Sequence, residues 1–274
     1  MRNAMLMGAV VLVACGTPMT MADAGVDAGG EVDPVFSVSG TVAIHPDALD
    51  AGLGSLVGLT VRVEEPLKVA ANNPAGVFST ATLDGASRFS VQNVSNELVN
   101  LGVAVGVRDD GDAGVPKVVR SATVVYDVLL VGKKPLGEVK DRVAYAIPTG
   151  FHDRLTALLG PARLRMLTPD APKDTLIGAG CILGKVLDAQ GAPVSGVTIT
   201  PSAGSVASRF FYPSADFTSL GAATSSNGLF LYVHEGTDLV QQFNFKVEGR
   251  TEYKQRNAGA VNNACLVVMV TPGS

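Results

Sequence analysis

The sequence contains no tryptophan, and aromatic side chains make up only 5% of its 274 residues. A tryptophan platform for stacking sugars is therefore excluded, although Tyr212 could offer a smaller one. Apolar positions are filled mainly by aliphatic side chains, which suits small β-rich domains. Histidine is equally scarce: His45, His152 and His234 lie far apart, and none begins an H-x-x-E or H-E-x-x-H metal motif. Each is expected to be an ordinary surface or loop residue. No G-x-S-x-G elbow occurs. The G-x-G pairs at 52–54 and 178–180 miss the dinucleotide spacing by one residue and have no βαβ context. With no nucleophile, base or metal set in view, no enzyme, metal or cofactor is expected. Basic clusters are missing too: 21 Lys and Arg against 25 Asp and Glu leave a net charge of −4, a poor basis for nucleic-acid binding. A membrane-spanning helix needs about 20 apolar residues, and no run is that long.

The longest apolar run, residues 4–14, follows Met1-Arg2-Asn3 and ends in small residues, which is secretory-signal anatomy. Leu12-Val13-Ala14-Cys15 resembles the lipobox of bacterial lipoproteins. That resemblance implies lipid on the Cys15 thiol, cleavage just before it and acylation of the new amine. The alternative is an ordinary secretory signal with a coincidental cysteine. Gly16, rather than Asp, follows the cysteine, which by the family's habit implies sorting to the outer membrane. Residues 16–34 carry four acids, no base and much Ala and Gly, so residues 15–34 are expected to be a lipidated, disordered tether.

With Cys15 carrying lipid, Cys181 and Cys265 remain. In an oxidising compartment two remaining thiols form a natural pair. Closing a loop of about 85 residues would stabilise by roughly 4 to 5 kcal/mol in the chain-entropy account. Two free buried thiols are the alternative, because Cα separation is not legible in sequence.

Downstream, short apolar segments alternate with Gly and Pro turns. In the second half, 181–188 reads as a strand, 189–193 as a turn and 196–201 as the next strand. Asn227-Gly228 is a hairpin signal before the apolar segment 229–233. Segment 242–247 alternates apolar and polar residues, and 265–270 supplies a closing strand. The first half repeats the order. Val38-Ser-Gly-Thr-Val42 matches Ile182-Leu-Gly-Lys-Val186, and Gly58-Leu-Thr-Val-Arg62 matches Gly196-Val-Thr-Ile-Thr200. Segments 89–91, 101–107 and 118–125 parallel 230–232, 243–247 and 266–270. Two units of similar design are the economical reading.

Gly184-Lys-Val-Leu-Asp-Ala-Gln-Gly-Ala-Pro-Val-Ser-Gly-Val-Thr-Ile199, followed by Thr224-Ser-Ser-Asn-Gly-Leu-Phe230, resembles the carboxypeptidase regulatory-like (transthyretin-like) sandwich. Ser225 stands where that family usually has Asp. The resemblance implies a seven-stranded, non-catalytic accessory fold over about 179–271. The first copy lacks the D-x-x-G-x-P turn and is either the same family or another immunoglobulin-like sandwich.

The fold expected is all-β: two tandem immunoglobulin-like or transthyretin-like β-sandwiches with a short helical connector. The layout is a signal peptide at 1–14, the tether at 15–34, one sandwich at 35–145, the connector at 146–178 and the second sandwich at 179–274. In the connector, Phe151, Leu155, Leu158 and Leu159 share one helical face that Gly160-Pro161 ends, and Pro161 can start a further turn through Leu167. The helix either packs between the sandwiches or offers itself to a partner.

Two loops carry chemistry. Arg209, Phe210, Phe211, Tyr212 and Phe217 concentrate aromatics in one predicted loop, either as binding anchors or folded back over the core. Asp109, Asp110 and Asp112 form a compact acidic cluster, either a solvated loop or a weak calcium site; the EF-hand pattern and a downstream Glu are missing. The function expected is a lipid-anchored cell-envelope protein, an outer-membrane lipoprotein on the periplasmic or surface face. It would present non-catalytic loops to a protein or glycan partner. The alternative is a carbohydrate-binding or processing accessory subunit.

Overall fold

The computed structural model describes residues 34–70, 77–111 and 114–273. Cys15 and most of the expected tether lie outside them. The strands are β1 (Val35–Ile44), β2 (Thr60–Glu64), β3 (Val77–Thr82), β4 (Arg88–Ser95), β5 (Gly102–Arg108), β6 (Val118–Val119), β7 (Ser121–Asp127) and β8 (Gly137–Pro148). They continue with β9 (Cys181–Val186), β10 (Ile199–Pro201), β11 (Phe210–Pro213), β12 (Leu220–Gly221), β13 (Leu229–Val233), β14 (Gln241–Val247), β15 (Arg256–Ala260) and β16 (Cys265–Val270). Helices are short: α1 (Pro66–Ala70), α2 (Val128–Val131), α3 (Thr149–Leu159), α4 (Pro161–Leu167) and α5 (Leu176–Ala179).

The fold is all-β and sandwich-like, and its two halves share one design. In the first half β1 lies between antiparallel β4 and parallel β8. In the second, β9 lies between antiparallel β13 and parallel β16. The facing layers also correspond, with β2–β5–β7 matching β10–β14–β15, all antiparallel. The repeat is therefore real, but one equivalence is corrected. Segment 118–125, which includes most of β7, is the counterpart of β15, and β8 is the counterpart of β16. Short apolar strands resemble one another in composition, so backbone pairing, not residue type, decides which of them match.

The halves are joined edge to edge. β7 pairs in parallel with β16, Cys265 opposite Ser121 and Val267 opposite Thr123. One nine-stranded sheet, β12-β11-β13-β9-β16-β7-β5-β2-β3, thus runs through both. Covering a strand edge in this way removes a row of unpaired backbone groups.

Burial follows the strand period. Phe36, Val38 and Val42 of β1 enter the first core. On β9, Ile182 and Val186 face the second core with Phe230, Tyr232 and Phe245, while Cys181 and Leu183 face a third core beneath the helices. The sheet here is covered on both faces, and all six β9 residues are buried. Gly184 is required because the Phe230 ring occupies the space a Cβ would fill.

The motif residues act as local fasteners. The Asp188 carboxylate accepts from Gln190 N and Ala192 N, tying the turn in which Gly191 takes positive φ. Thr224 Oγ1 accepts from Val197 N and donates to Val194 O. Asn227-Gly228 forms a turn into β13 instead of a two-residue hairpin, because the strand pairing with β13 on that side is β11. The connector folds as its sequence predicts. α3 buries Phe151, Leu155 and Leu159, Gly160 ends it at φ 78°, and Pro161 opens α4.

Candidate functional site

Strand alternation places Lys185 on the same face of β9 as Cys181 and Leu183, where water is excluded; its side chain is 6% exposed. A buried ammonium needs a partner. Asp47, in the short 3₁₀ turn Pro46–Ala48 after β1, supplies it: Lys185 Nζ donates to both carboxylate oxygens at 2.8 and 2.9 Å. His45 precedes that turn, and its Nδ1 accepts from Asp47 N at 3.3 Å. The imidazole stacks on Phe151 at 5.8 Å and meets Tyr145 edge-on at 6.1 Å. Burial, reinforced by the Lys185 charge, lowers the His45 pKa to about 3. Burial also raises Asp47 above the usual carboxylate range, outweighing the opposing pull of Lys185. The cluster is an internal cross-link between the halves, centred on the Lys185–Asp47 pair.

His45 and His234 lie in loops and His152 in α3, but all three are buried, so none is a surface residue. His152 is 4% exposed: its Nε2 accepts from Ile177 N at 2.9 Å and its Nδ1 lies 2.9 Å from an Asp153 oxygen. His234 accepts from Gly236 N near Ala179 O. Each ring satisfies backbone where a helix or turn meets the sheet, and burial lowers the pKa of both. The links to Asp153 and Gly236 are local, but those to Ile177 and Ala179 join segments 25 and 55 residues apart and are not legible in the sequence. The Lys185 signal was legible, because the period of two put a charge on a buried face.

The 209–217 segment is β11 and its flanks. Phe210 and Tyr212 are interior. Phe210 packs on Phe230, Tyr232 and Phe243, and Tyr212 Oη accepts from Ile199 N at 2.8 Å. Those two rings fill the second core and are not surface anchors. Arg209 donates to Val233 O and Leu167 O. Phe211 and Phe217 are partly buried, under Arg163 at 5.7 Å and Arg154 at 5.6 Å. Phe217 also meets Phe151 edge-on and holds φ at 58°, unusual for a bulky residue.

In the acidic loop, the Asp109 carboxylate accepts from Lys117 N and Gly111 N, which hold its pKa down. Asp110 pairs with Arg108 at 2.9 Å. Asp112 lies outside the described residues. Among the described residues no three metal-ligating side chains converge.

Cys181 and Cys265 face each other on β9 and β16, 4.6 Å apart at Cα, and form a disulfide. Beside it lies a cavity of about 390 Å³, bounded by Val69, Ala122 and Leu266 and by Phe243 and Ala258 of β14 and β15. That size suits a small apolar ligand. Among the described residues no helix is long and apolar enough to cross a membrane.

No protein-family model and no curated protein matches this chain. Among solved structures, the shaft pilin SpaA from Lactobacillus rhamnosus GG aligns at 10% identity and a TM-score of 0.24, covering 88% of this chain and 98% of that one. The Streptococcal ancillary pilin aligns at 11% identity and 0.24, covering 86% and 68%. The major pilin RrgB from Streptococcus pneumoniae aligns at 8% and 0.20, covering 88% and 48%. Likeness at this level transfers no function.

Proposed function

We propose that this chain is a lipid-anchored cell-envelope protein, held through Cys15, whose fused sandwiches form a non-catalytic body presented to an envelope protein or glycan. The observation that carries the reading is the Cys181–Cys265 disulfide. Disulfides persist in oxidising compartments, which agrees with the secretory anatomy of residues 1–14 and leaves Cys15 as the single cysteine outside the bridge. The Asp188 turn and the Thr224 tie support membership of the second half in the carboxypeptidase regulatory-like group. Three acyl chains would hold the protein far more firmly than one, whose binding is reversible.

The test is metabolic labelling with a fatty-acid probe, followed by membrane fractionation. Wild type carries the label and sediments with membranes. Cys15→Ser loses the label and is released. An unlabelled wild type, or membrane retention unchanged by Cys15→Ser, refutes the anchor. In-cell crosslinking and a polysaccharide array then separate a protein partner from a glycan.

A further inference from the structure

Five strand ends converge at one pole of the first half: the starts of β1, β5 and β8 and the ends of β4 and β7. The described chain also begins there, with Pro34 O accepting from Asn96 N at 2.9 Å. Large apolar side chains normally withdraw from such loop ends, yet here they do not. Val35 is 48% exposed, Leu98 50%, Leu129 56%, Val131 48% and Leu136 69%. They account for five of the eleven exposed large hydrophobics among the described residues, and the segments bearing them are stitched together. Asn96 Nδ2 donates to Pro135 O, Val128 N donates to Leu101 O, and Tyr126 Oη donates to Lys133 O.

The charge of this pole departs from that of the chain. Lys133 and Lys134 are exposed between Val131 and Leu136, and Lys134 Nζ donates to Asn96 O. Lys68 is partly exposed nearby on α1. On the acidic side, Glu97 is exposed, Asp127 accepts from Leu130 N at the start of α2, and Glu138 is paired with Lys140. A net-acidic protein thus places a lysine pair among protruding aliphatic side chains where its N-terminal segment joins the body.

We propose that this pole is a membrane-contacting face: Leu98, Leu129, Val131 and Leu136 enter the headgroup layer of an anionic bilayer while Lys133 and Lys134 meet its phosphates. The proposal rests on the lipid anchor for orientation. Eighteen residues separate Cys15 from Pro34, a span of at most about 70 Å when fully extended. Such a link permits a body that stands away from the bilayer or one that lies against it. Protruding aliphatics with basic neighbours favour contact, because apolar burial and attraction to anionic lipid add.

The absence of tryptophan makes the test clean. Single reporters Leu136→Trp and Leu98→Trp mark the pole. Leu49→Trp, at a site 71% exposed, marks the far end of the ten-residue β1, about 30 Å away. Full-length protein, first checked for fatty-acid label, is reconstituted into phosphatidylethanolamine vesicles with or without phosphatidylglycerol, part of the lipid being brominated. Leu136→Trp and Leu98→Trp should lose emission in the phosphatidylglycerol vesicles while Leu49→Trp keeps it. Adding Lys133→Gln should weaken this contact by about fivefold. Equal quenching at both poles, or at neither, overturns the proposal. So does a blue shift of Leu136→Trp that grows with protein concentration without lipid, which would mean pairing between copies. Missing fatty-acid label is read before reconstitution and counts against the anchor alone.

Discussion

Lys185 of the second half donates to both carboxylate oxygens of Asp47 in the first, across 138 residues of sequence and away from solvent. A buried pair gains little over a well-packed apolar pair, but removing one partner strands a charge, at a cost of about 3 to 5 kcal/mol. Lys185→Met and Asp47→Leu should each lower the chemical-denaturation midpoint strongly, and the double substitution should recover much of the loss. Additive losses in the double variant would show that the two groups are not coupled.

His45 makes stability depend on pH. Its pKa lies near 3 in the folded protein and near 6.5 unfolded, so the unfolded chain binds the extra proton between those values. Its contribution is complete above about pH 6.5 and is lost as pH falls toward 3, by at most about 1.4 kcal/mol per unit. Asp47 works in the opposite sense: with its pKa raised, its contribution is present below the usual carboxylate value and lost as pH rises through the folded one. Denaturation curves at pH 7, 5 and 4 should slope less steeply for His45→Asn than for wild type, with His152 and His234 supplying the remainder. Parallel slopes would remove His45 from the account.

Reduction should be costly. Opening the Cys181–Cys265 bridge, by dithiothreitol or by replacing both cysteines with alanine, is expected to cost about 2 to 5 kcal/mol. Peptide mapping without reductant should recover the two cysteines joined. Two alkylatable thiols in native, unreduced protein would contradict the structure.

The 209–217 segment divides by burial. Phe210→Ala should cost about 3 to 5 kcal/mol, as for other core aromatics. Tyr212→Phe strands the buried Ile199 N–H and should cost about 1 to 3 kcal/mol. At Phe217, whose φ is 58°, glycine should be tolerated better than alanine by about 1 kcal/mol, since both lose the ring and only glycine relieves the backbone. Thermal melts of the four variants test the ranking, and a Phe210→Ala melt near wild type would reopen the segment as a free loop.

Local chemistry was legible in the sequence. Gly160-Pro161 divides α3 from α4, and β13 and β16 fall where 229–233 and 265–270 were read. The cysteine pair emerged by setting Cys15 aside. These features depend on side-chain period, backbone propensity or count, all of which are written along the chain. The tertiary structure alone decided that β7 would join β16, that β8 and β16 would be the corresponding strands, and that His45 and Asp47 would lie against Lys185. Strand partners are chosen through backbone hydrogen bonds, which every residue but proline offers alike. Burial of His45 and Lys185 depends on surfaces contributed from more than a hundred residues away. In this protein the sequence by itself determined particular strands and breaks, such as β13, β16 and the Gly160-Pro161 junction, whereas long-range packing decided that 209–217 would carry a strand and which strands meet.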